Sequence, residues 1–125
     1  MTTIRNLTPH DVTVGRDGDK QTTFHKEGLE LRLQQDEGHI LDDVTPGVPV
    51  QTVGRYWLRD EDVIALNFGW NDVLIVSSLL APVLKEWCVG LCMSNVRIVV
   101  PASGPGQCYR DDQGRITGVK YFLEY

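Results

Sequence analysis

A glycine-rich loop between two apolar strands carries residue types that could bind an anion. Gly104 and Gly106 lie in residues 102–107, directly after the apolar run 96–101. Backbone N–H groups in a glycine-rich turn can face a phosphate, because no side chain blocks the approach. Guanidinium groups add planar forks of donors, and an aromatic ring offers a face to a base. The flanks of the loop carry such groups: Arg97, Tyr109 and Arg110.

Trp87 is the aromatic residue that the sequence favours for stacking on a purine. It lies near the end of a predicted helix, close in sequence to Asn95 and Arg97. Stacking on an aromatic ring contributes about 1–3 kcal/mol per base. Core packing explains Trp57 and Trp70 and is an alternative for Trp87, and an ordinary turn is an alternative for the glycine-rich loop.

Other reactive residue types give weaker patterns. Cys88 and Cys92 lie one helical turn apart and lack the two-residue gap typical of zinc ligands, so we interpret them as core thiols. No nucleophile motif accompanies the histidines. His10, which follows Thr8 and Pro9 in a shaped turn, is the best candidate for an acid or base. We therefore predict no metal site, no cofactor and no catalysis.

Charge and composition limit the classes of partner. The chain has 125 residues and a formal net charge of −5, which disfavours long polyanions such as duplex DNA. A small nucleotide is still compatible, because a few local arginines suffice. No run approaches the roughly 18 apolar residues of a membrane span, and the N-terminus lacks a signal-peptide core. We expect a cytosolic protein without a membrane partner.

Hydrophobic periodicity predicts an α+β fold. It consists of mostly antiparallel β-sheet with one main amphipathic helix, in a single nucleotide-binding domain over residues 1–125. The helix begins at Ser77 or Ser78 and ends near Gly90, with apolar residues at helical spacing. Residues 34–47 are expected to form a polar loop, and residues 58–70 fit either strand or helix. The predicted strand segments are 4–14, 22–24, 29–33, 48–53, 74–76, 96–100 and 115–125.

Three segments together resemble a known family. They are Asn-Leu-Thr-Pro-His at residues 6–10, the apolar run at residues 74–81 and the tail at residues 109–118. In this order and spacing they resemble the phage Thoeris anti-defence sponge proteins. The chain departs from the family pattern in a longer, cysteine-containing segment at residues 82–95. It also has Val119 after Gly118, where the family often has cysteine.

The resemblance implies a function and an assembly. Members of that family capture cyclic ADP-ribose isomers made by bacterial TIR-domain immune enzymes, and hold them without cleavage. They form dimers or higher assemblies, and some also hold cyclic oligonucleotides at separate sites. The resemblance therefore implies a phage protein that acts in the cytoplasm of the infected bacterial host, as a homodimer or higher homo-oligomer with pockets shared between copies.

The resemblance also implies roles for individual residues. Arg110 matches the tail motif directly and is the first candidate for a phosphate contact. Trp87 and Asn95 are placed by approximate spacing as the stacking ring and a neighbouring amide. The weaker candidates for a second phosphate contact are Arg55, Arg59 and Arg97. Asn6 and His10 lie in the matched N-terminal motif, where they either contact ligand or shape the fold.

Two alternative functions are compatible with the same sequence. The first is an enzyme that cleaves a cyclic nucleotide, with His10 as acid or base, which predicts turnover and a new product. The second is a small phage structural or interaction protein, which predicts a protein partner and no small ligand.

Overall fold

The computed structural model describes residues 2–16, 20–29 and 31–125. Within them the chain forms short strands and two helices, so the predicted α+β class with one main helix is confirmed. In chain order the elements are β1 (Ile4–Asn6), β2 (Val12–Val14), β3 (Thr22–Phe24), β4 (Leu33–Gln35), β5 (Ile40–Leu41), β6 (Val50–Gln51), β7 (Tyr56–Leu58), α1 (Asp60–Ala65), β8 (Val73–Ile75), α2 (Leu80–Gly90), β9 (Arg97–Pro101), β10 (Cys108–Arg110), β11 (Ile116–Val119) and β12 (Phe122–Glu124).

A four-stranded central sheet has the order β1-β8-β9-β12. β8 is parallel to both β1 and β9, and only β12 runs antiparallel to its neighbour. Helix α2 connects β8 to β9, so these three elements form a βαβ unit. Of the eight strand pairings among the described residues, five are antiparallel, which agrees with the predicted majority.

The main hydrophobic core lies between the central sheet and α2. Leu74 and Ile98 are fully buried partners in the β8–β9 register, and both belong to this core. From α2 the core receives Ala81, Leu84 and Cys88, at the spacing of one helix face. The predicted amphipathic helix therefore forms, and it covers one face of the sheet.

A second sheet, in the order β10-β11-β2-β3, covers the opposite face. Ile75 and Val99 point toward it and cluster with Val12 and Val119. The rings of Phe24 and Phe122 meet edge to face with their centroids 5.8 Å apart. This second cluster fixes the β10–β11 hairpin on the body of the protein through Val119.

Strands β4 to β7 form a two-stranded ribbon, which includes the predicted polar loop at residues 34–47 and the predicted strand at residues 48–53 that contains β6. β4 pairs with β7 at its base, and β5 pairs with β6 further out. The expected loop at residues 34–47 is wrong for the four residues that enter β4 and β5. The prediction was wrong because it relied on a burial pattern. The outer part of the ribbon stays exposed and is held by hydrogen bonds between the backbones of its strands.

Two other strand predictions need correction. Apolar and polar residues alternate over residues 29–33, and the side chains of Leu31 and Leu33 pack against the core. Pairing with β7 starts only at Leu33, so the strand begins there and not at residue 29. Leu29 is 47% exposed, and Glu30 lies outside the described residues. The single strand expected over residues 115–125 is two strands, β11 and β12, which belong to different sheets.

Two glycines shape the base of the ribbon. A Cβ at Gly38 would collide with the carbonyl oxygen of Thr52, and one at Gly54 would collide with that of Asp36. The backbones approach so closely that only glycine fits at either position. The pair therefore sets the angle at which the outer ribbon leaves the core.

We predict that Gly54→Ala destabilises the protein by roughly 1–3 kcal/mol, because the backbone must shift to admit the methyl group. Thermal unfolding followed by circular dichroism measures the change. Gly90→Ala is the matched control, since the new Cβ at the end of α2 meets no atom within 4 Å. Equal melting temperatures for the two variants would contradict this view of the ribbon base.

Candidate functional site

The eight residues predicted to bind ligand fall in several places. Tyr109 and Arg110 share one depression, and Arg55 and Trp87 share another. Gly104 and Gly106 form a closed turn, whereas Arg97 and Asn95 line neither depression. The structure thus brings the predicted residues together as two pairs within one copy of the chain.

The first depression, called here the basic depression, has a volume of about 340 Å³. The β10–β11 hairpin forms most of it, and the ladder is irregular between Tyr109 and Arg110. Such an irregularity turns a side chain away from its regular direction. The lining residues are Arg16, Tyr109, Arg110, Asp111 and Thr117.

Short hydrogen bonds hold the polar groups of the hairpin in place. A terminal guanidinium nitrogen of Arg110, Nη1, donates to the carbonyl oxygen of Gly114 at 2.7 Å. The Oδ1 atom of Asp111 accepts from the backbone N–H groups of Gln113 and Arg115, each at 2.9 Å. That carboxylate is therefore occupied in closing the turn, while Arg110 retains four of its five N–H donors.

Tyr109 contributes an aromatic ring to the basic depression, and a lysine ammonium lies close to that ring. Its side chain is half-buried, and the Nζ atom of Lys120 lies 5.5 Å from the ring centroid. This distance is within the range of a cation–π contact. Thr117 donates from Oγ1 to the backbone carbonyl of Tyr109 at 3.3 Å, which ties the two strands together behind the ring.

Arg110 differs from four other arginines in its charge environment. Arg5, Arg55, Arg59 and Arg97 each have a glutamate partner, at 2.8, 3.7, 3.3 and 2.5 Å respectively. Among the described residues, no carboxylate oxygen lies within 4 Å of the guanidinium of Arg110. Its positive charge is therefore available to an anion from solution.

The glycine-rich loop is closed on itself. The N–H of Gly104 donates to the side-chain Oε1 of Gln107 at 2.9 Å, and the N–H of Gln107 donates back to the carbonyl of Gly104 at 3.0 Å. Gly106 has φ +77°, a conformation that favours glycine. In this arrangement the N–H of Gly104 is already bonded, so the turn explains these glycines without a phosphate.

The second depression, called here the tryptophan cleft, lies between β7 and α2 and measures about 160 Å³. Trp57 and Trp87 line it, and each indole N–H donates to an aspartate, Asp36 and Asp60 respectively, at 2.9 Å. Trp57 is 40% exposed, so the core packing expected from the sequence is only part of its role. The long ion pair between Arg55 and Glu86 completes the cleft.

Sequence reasoning missed Arg16 and Trp57 as lining residues. Arg16 reaches the basic depression because β2 lies beside β11 in the second sheet. Trp57 lines the cleft because β7 packs beside α2. Neither contact is visible in local spacing, since both depend on pairing between distant segments.

The N-terminal motif at residues 6–10 forms a closed polar network. The side chain of Asn6 is 2% exposed, and its Nδ2 donates to the carbonyls of His10 and Phe24 at 2.9 and 2.7 Å. Its Oδ1 accepts from the N–H and the hydroxyl of Thr8 at 3.0 and 2.6 Å. These four bonds join the turn after β1 to strand β3, which is a structural role.

The histidine nearest to a carboxylate is His25, not His10. Its Nδ1 lies 3.3 Å from Oδ2 of Asp11, and both side chains are largely exposed. The N–H of Lys26 donates to Asp11 and, together with His25, holds the pKa of that carboxyl below its usual value. The pair connects the end of β3 to the start of β2.

The cysteines differ in environment. Cys88 is buried in the main core, and desolvation raises the pKa of its thiol, an effect that Lys85 partly offsets. Cys92 is exposed and has φ +58°. Within the part of the chain that the structure describes, no group of three or more His, Cys, Asp or Glu residues could hold a metal ion.

No helix in the described ranges is both long enough and apolar enough to cross a bilayer. Comparisons with protein-family models, curated proteins and solved structures find no match to this chain. The geometry of the two depressions is therefore the basis for a function.

We predict that Asn6→Ala lowers the free energy of unfolding by roughly 2 kcal/mol, because buried partners lose their hydrogen bonds. Chemical denaturation followed by tryptophan fluorescence measures the effect. Asn95→Ala is the control, since Asn95 is exposed before β9. A stability loss in the control as large as that in Asn6→Ala would show that the network is not the cause.

Proposed function

We propose that the protein captures a small phosphate-bearing nucleotide in the basic depression and holds it without cleaving it. The observation that carries the proposal is the guanidinium of Arg110, which has no ion-pair partner among the described carboxylates and lines the same depression as Tyr109 and Arg16. Guanidinium groups bind phosphate through paired N–H donors, and an aromatic ring offers a surface for a base or sugar.

The charges of the basic depression favour a doubly charged ligand over a single phosphate. Two arginines and one carboxylate, Asp111, line the depression, and the ammonium of Lys120 lies over the ring of Tyr109. A diphosphate places two negative charges a few ångströms apart, so it can contact more than one of these cations. A cyclic ADP-ribose isomer, the ligand class implied by the resemblance to Thoeris anti-defence sponges, carries such a diphosphate.

Sequestration, as we propose it, works by mass action in the cytoplasm of an infected bacterium. The dissociation constant must lie below the working concentration of the signal, and a nanomolar site corresponds to about −12 kcal/mol. Ion pairs in an open depression contribute little, because water screens them. We therefore include a homodimer or higher assembly in the proposal, in which a second copy helps to enclose the ligand.

The role of Arg110 is tested by calorimetric titration with cyclic ADP-ribose isomers and cyclic di- and trinucleotides. We predict that Arg110→Ala weakens binding of the active ligand by roughly 10- to 100-fold, the loss expected for a charge-assisted contact. Arg59, one of the weaker candidates from the sequence, lines neither depression and pairs with Glu61, so Arg59→Ala removes the same charge and we expect it to bind as wild type. Equal affinity of Arg110→Ala and wild type would refute this placement of the phosphate.

Recovery of the ligand separates capture from cleavage. After heat denaturation of the complex, chromatography should return the titrated nucleotide intact. A new product that accumulates with time would instead make the protein an enzyme. An absence of binding across the whole panel would contradict the proposed function and favour a protein partner.

A further inference from the structure

The outer part of the ribbon exposes an unusual amount of apolar surface. This segment, residues 39–53, is called the ribbon tip. Ile40 is 85% exposed, Val53 is 80% exposed and Val44 is 72% exposed, with Leu41 and Val48 about half exposed. Together these five side chains expose apolar surface on the order of 500 Å², divided between the two faces of the ribbon because Ile40 and Leu41 are consecutive in β5. A two-stranded hairpin without a covering layer is only marginally stable.

A strand edge elsewhere in the same chain offers a matching surface. β12 is the last strand of the central sheet, and Tyr121 and Leu123 expose nearly half of their area beside its outer edge. Tyr121 and Tyr125 bond toward β9, so by antiparallel alternation the N–H and C=O groups of Phe122 and Glu124 point outward. β12 therefore has both apolar side chains and free backbone groups for another strand.

We propose that the ribbon tip is an assembly arm, in which β5 of one copy adds to the β12 edge of a second copy. β5 is the available edge of the ribbon, since Pro49 precedes β6 and lacks an N–H donor. Reciprocal exchange of two arms across a two-fold axis closes the assembly as a dimer. Each of the two contacts must bury roughly 600–1,000 Å² for the assembly to reach the roughly 1,200–2,000 Å² of a stable interface.

Charge argues against the simplest alternative, in which the two arms pair with each other. Residues 36–53 contain Asp36, Glu37, Asp42 and Asp43 and no lysine or arginine. Two copies of this segment side by side would repel each other, whereas β12 is preceded by Lys120 and its own carboxylate, Glu124, is already paired with Arg97. The arm is therefore expected to contact the body of the partner copy.

The arm is tested by the mass of the protein in solution, measured by sedimentation equilibrium across a wide concentration range. Wild type is expected to be a dimer or larger. The double variant Ile40→Asp, Val53→Asp should weaken association by about 100-fold or more, since two apolar contacts become charges. Both side chains are largely exposed within one copy, so folding should be unaffected, and circular dichroism checks this.

Ile64→Asp is the matched control, because it places the same charge at an exposed isoleucine on α1, outside the arm. It should keep the wild-type mass. A monomeric wild type at all concentrations, or a double variant with the wild-type mass, would overturn the proposal. These masses are read without ligand, so they are independent of the nucleotide titrations.

Cross-linking tests the receiving surface. Ile40→Cys and Leu123→Cys are made as separate proteins in a Cys92→Ser background, mixed, and treated with a short bis-maleimide. Mass spectrometry should find a link between the thiols introduced at positions 40 and 123. Links from position 40 only to other positions of the partner would overturn the assignment of β12.

Discussion

Burial of strands β8 and β9 on both faces is the constraint on which the rest of the structure depends. Leu74 and Ile98 need a cover on one side of the central sheet, and Ile75 and Val99 need one on the other. Each such side chain contributes about 1.5–3 kcal/mol when fully buried. Helix α2 supplies the first cover and the second sheet supplies the other, so the positions of both follow from this requirement.

The same constraint positions the basic depression. Val119 anchors β11 in the second cluster, and a Cβ at Gly118 would come within 2.6 Å of the carbonyl oxygen of Gly15. One end of the β10–β11 hairpin is therefore pressed against the body, while Arg110 and its turn extend from the other end. An anion-binding group gains from a fixed backbone, because less conformational freedom is lost when the ligand binds.

Local sequence signals predicted the elements of this fold better than their arrangement. The apolar runs before and after α2 predicted two buried strands, and amphipathic spacing predicted the helix between them. Continuous apolar runs are typical of parallel strands that are covered on both faces. Which strands pair, however, depends on contacts between distant segments and cannot be predicted from local sequence. The ribbon was predicted only in part: β6 lies within the strand expected at residues 48–53, whereas β5 was expected to be loop, since its exposed residues carry no burial pattern.

The candidate site shows that residue types can indicate a chemistry, whereas they do not indicate which of those residues come together in the fold. Arg97 and Gly104 are seven positions apart in sequence, but Arg97 begins β9 and Gly104 follows its other end. Arg97 is thereby carried away from the loop and paired with Glu124. Arg16 and Tyr109 are distant in sequence, and the β10-β11-β2 order of the second sheet brings them into one depression.

The distribution of charge reconciles an acidic chain with an anion site. Part of the excess of carboxylates lies in residues 36–53, whereas the β10–β11 hairpin and the residue after it carry three cations, Arg110, Arg115 and Lys120, against two carboxylates, Asp111 and Asp112. At physiological ionic strength, charges separated by more than about 8 Å are largely screened. A long polyanion must contact many regions of the surface and is therefore repelled by the net charge of −5. A small nucleotide at the basic depression is affected mainly by the cations beside it, so the acidic composition restricts the size of the anion but permits its binding.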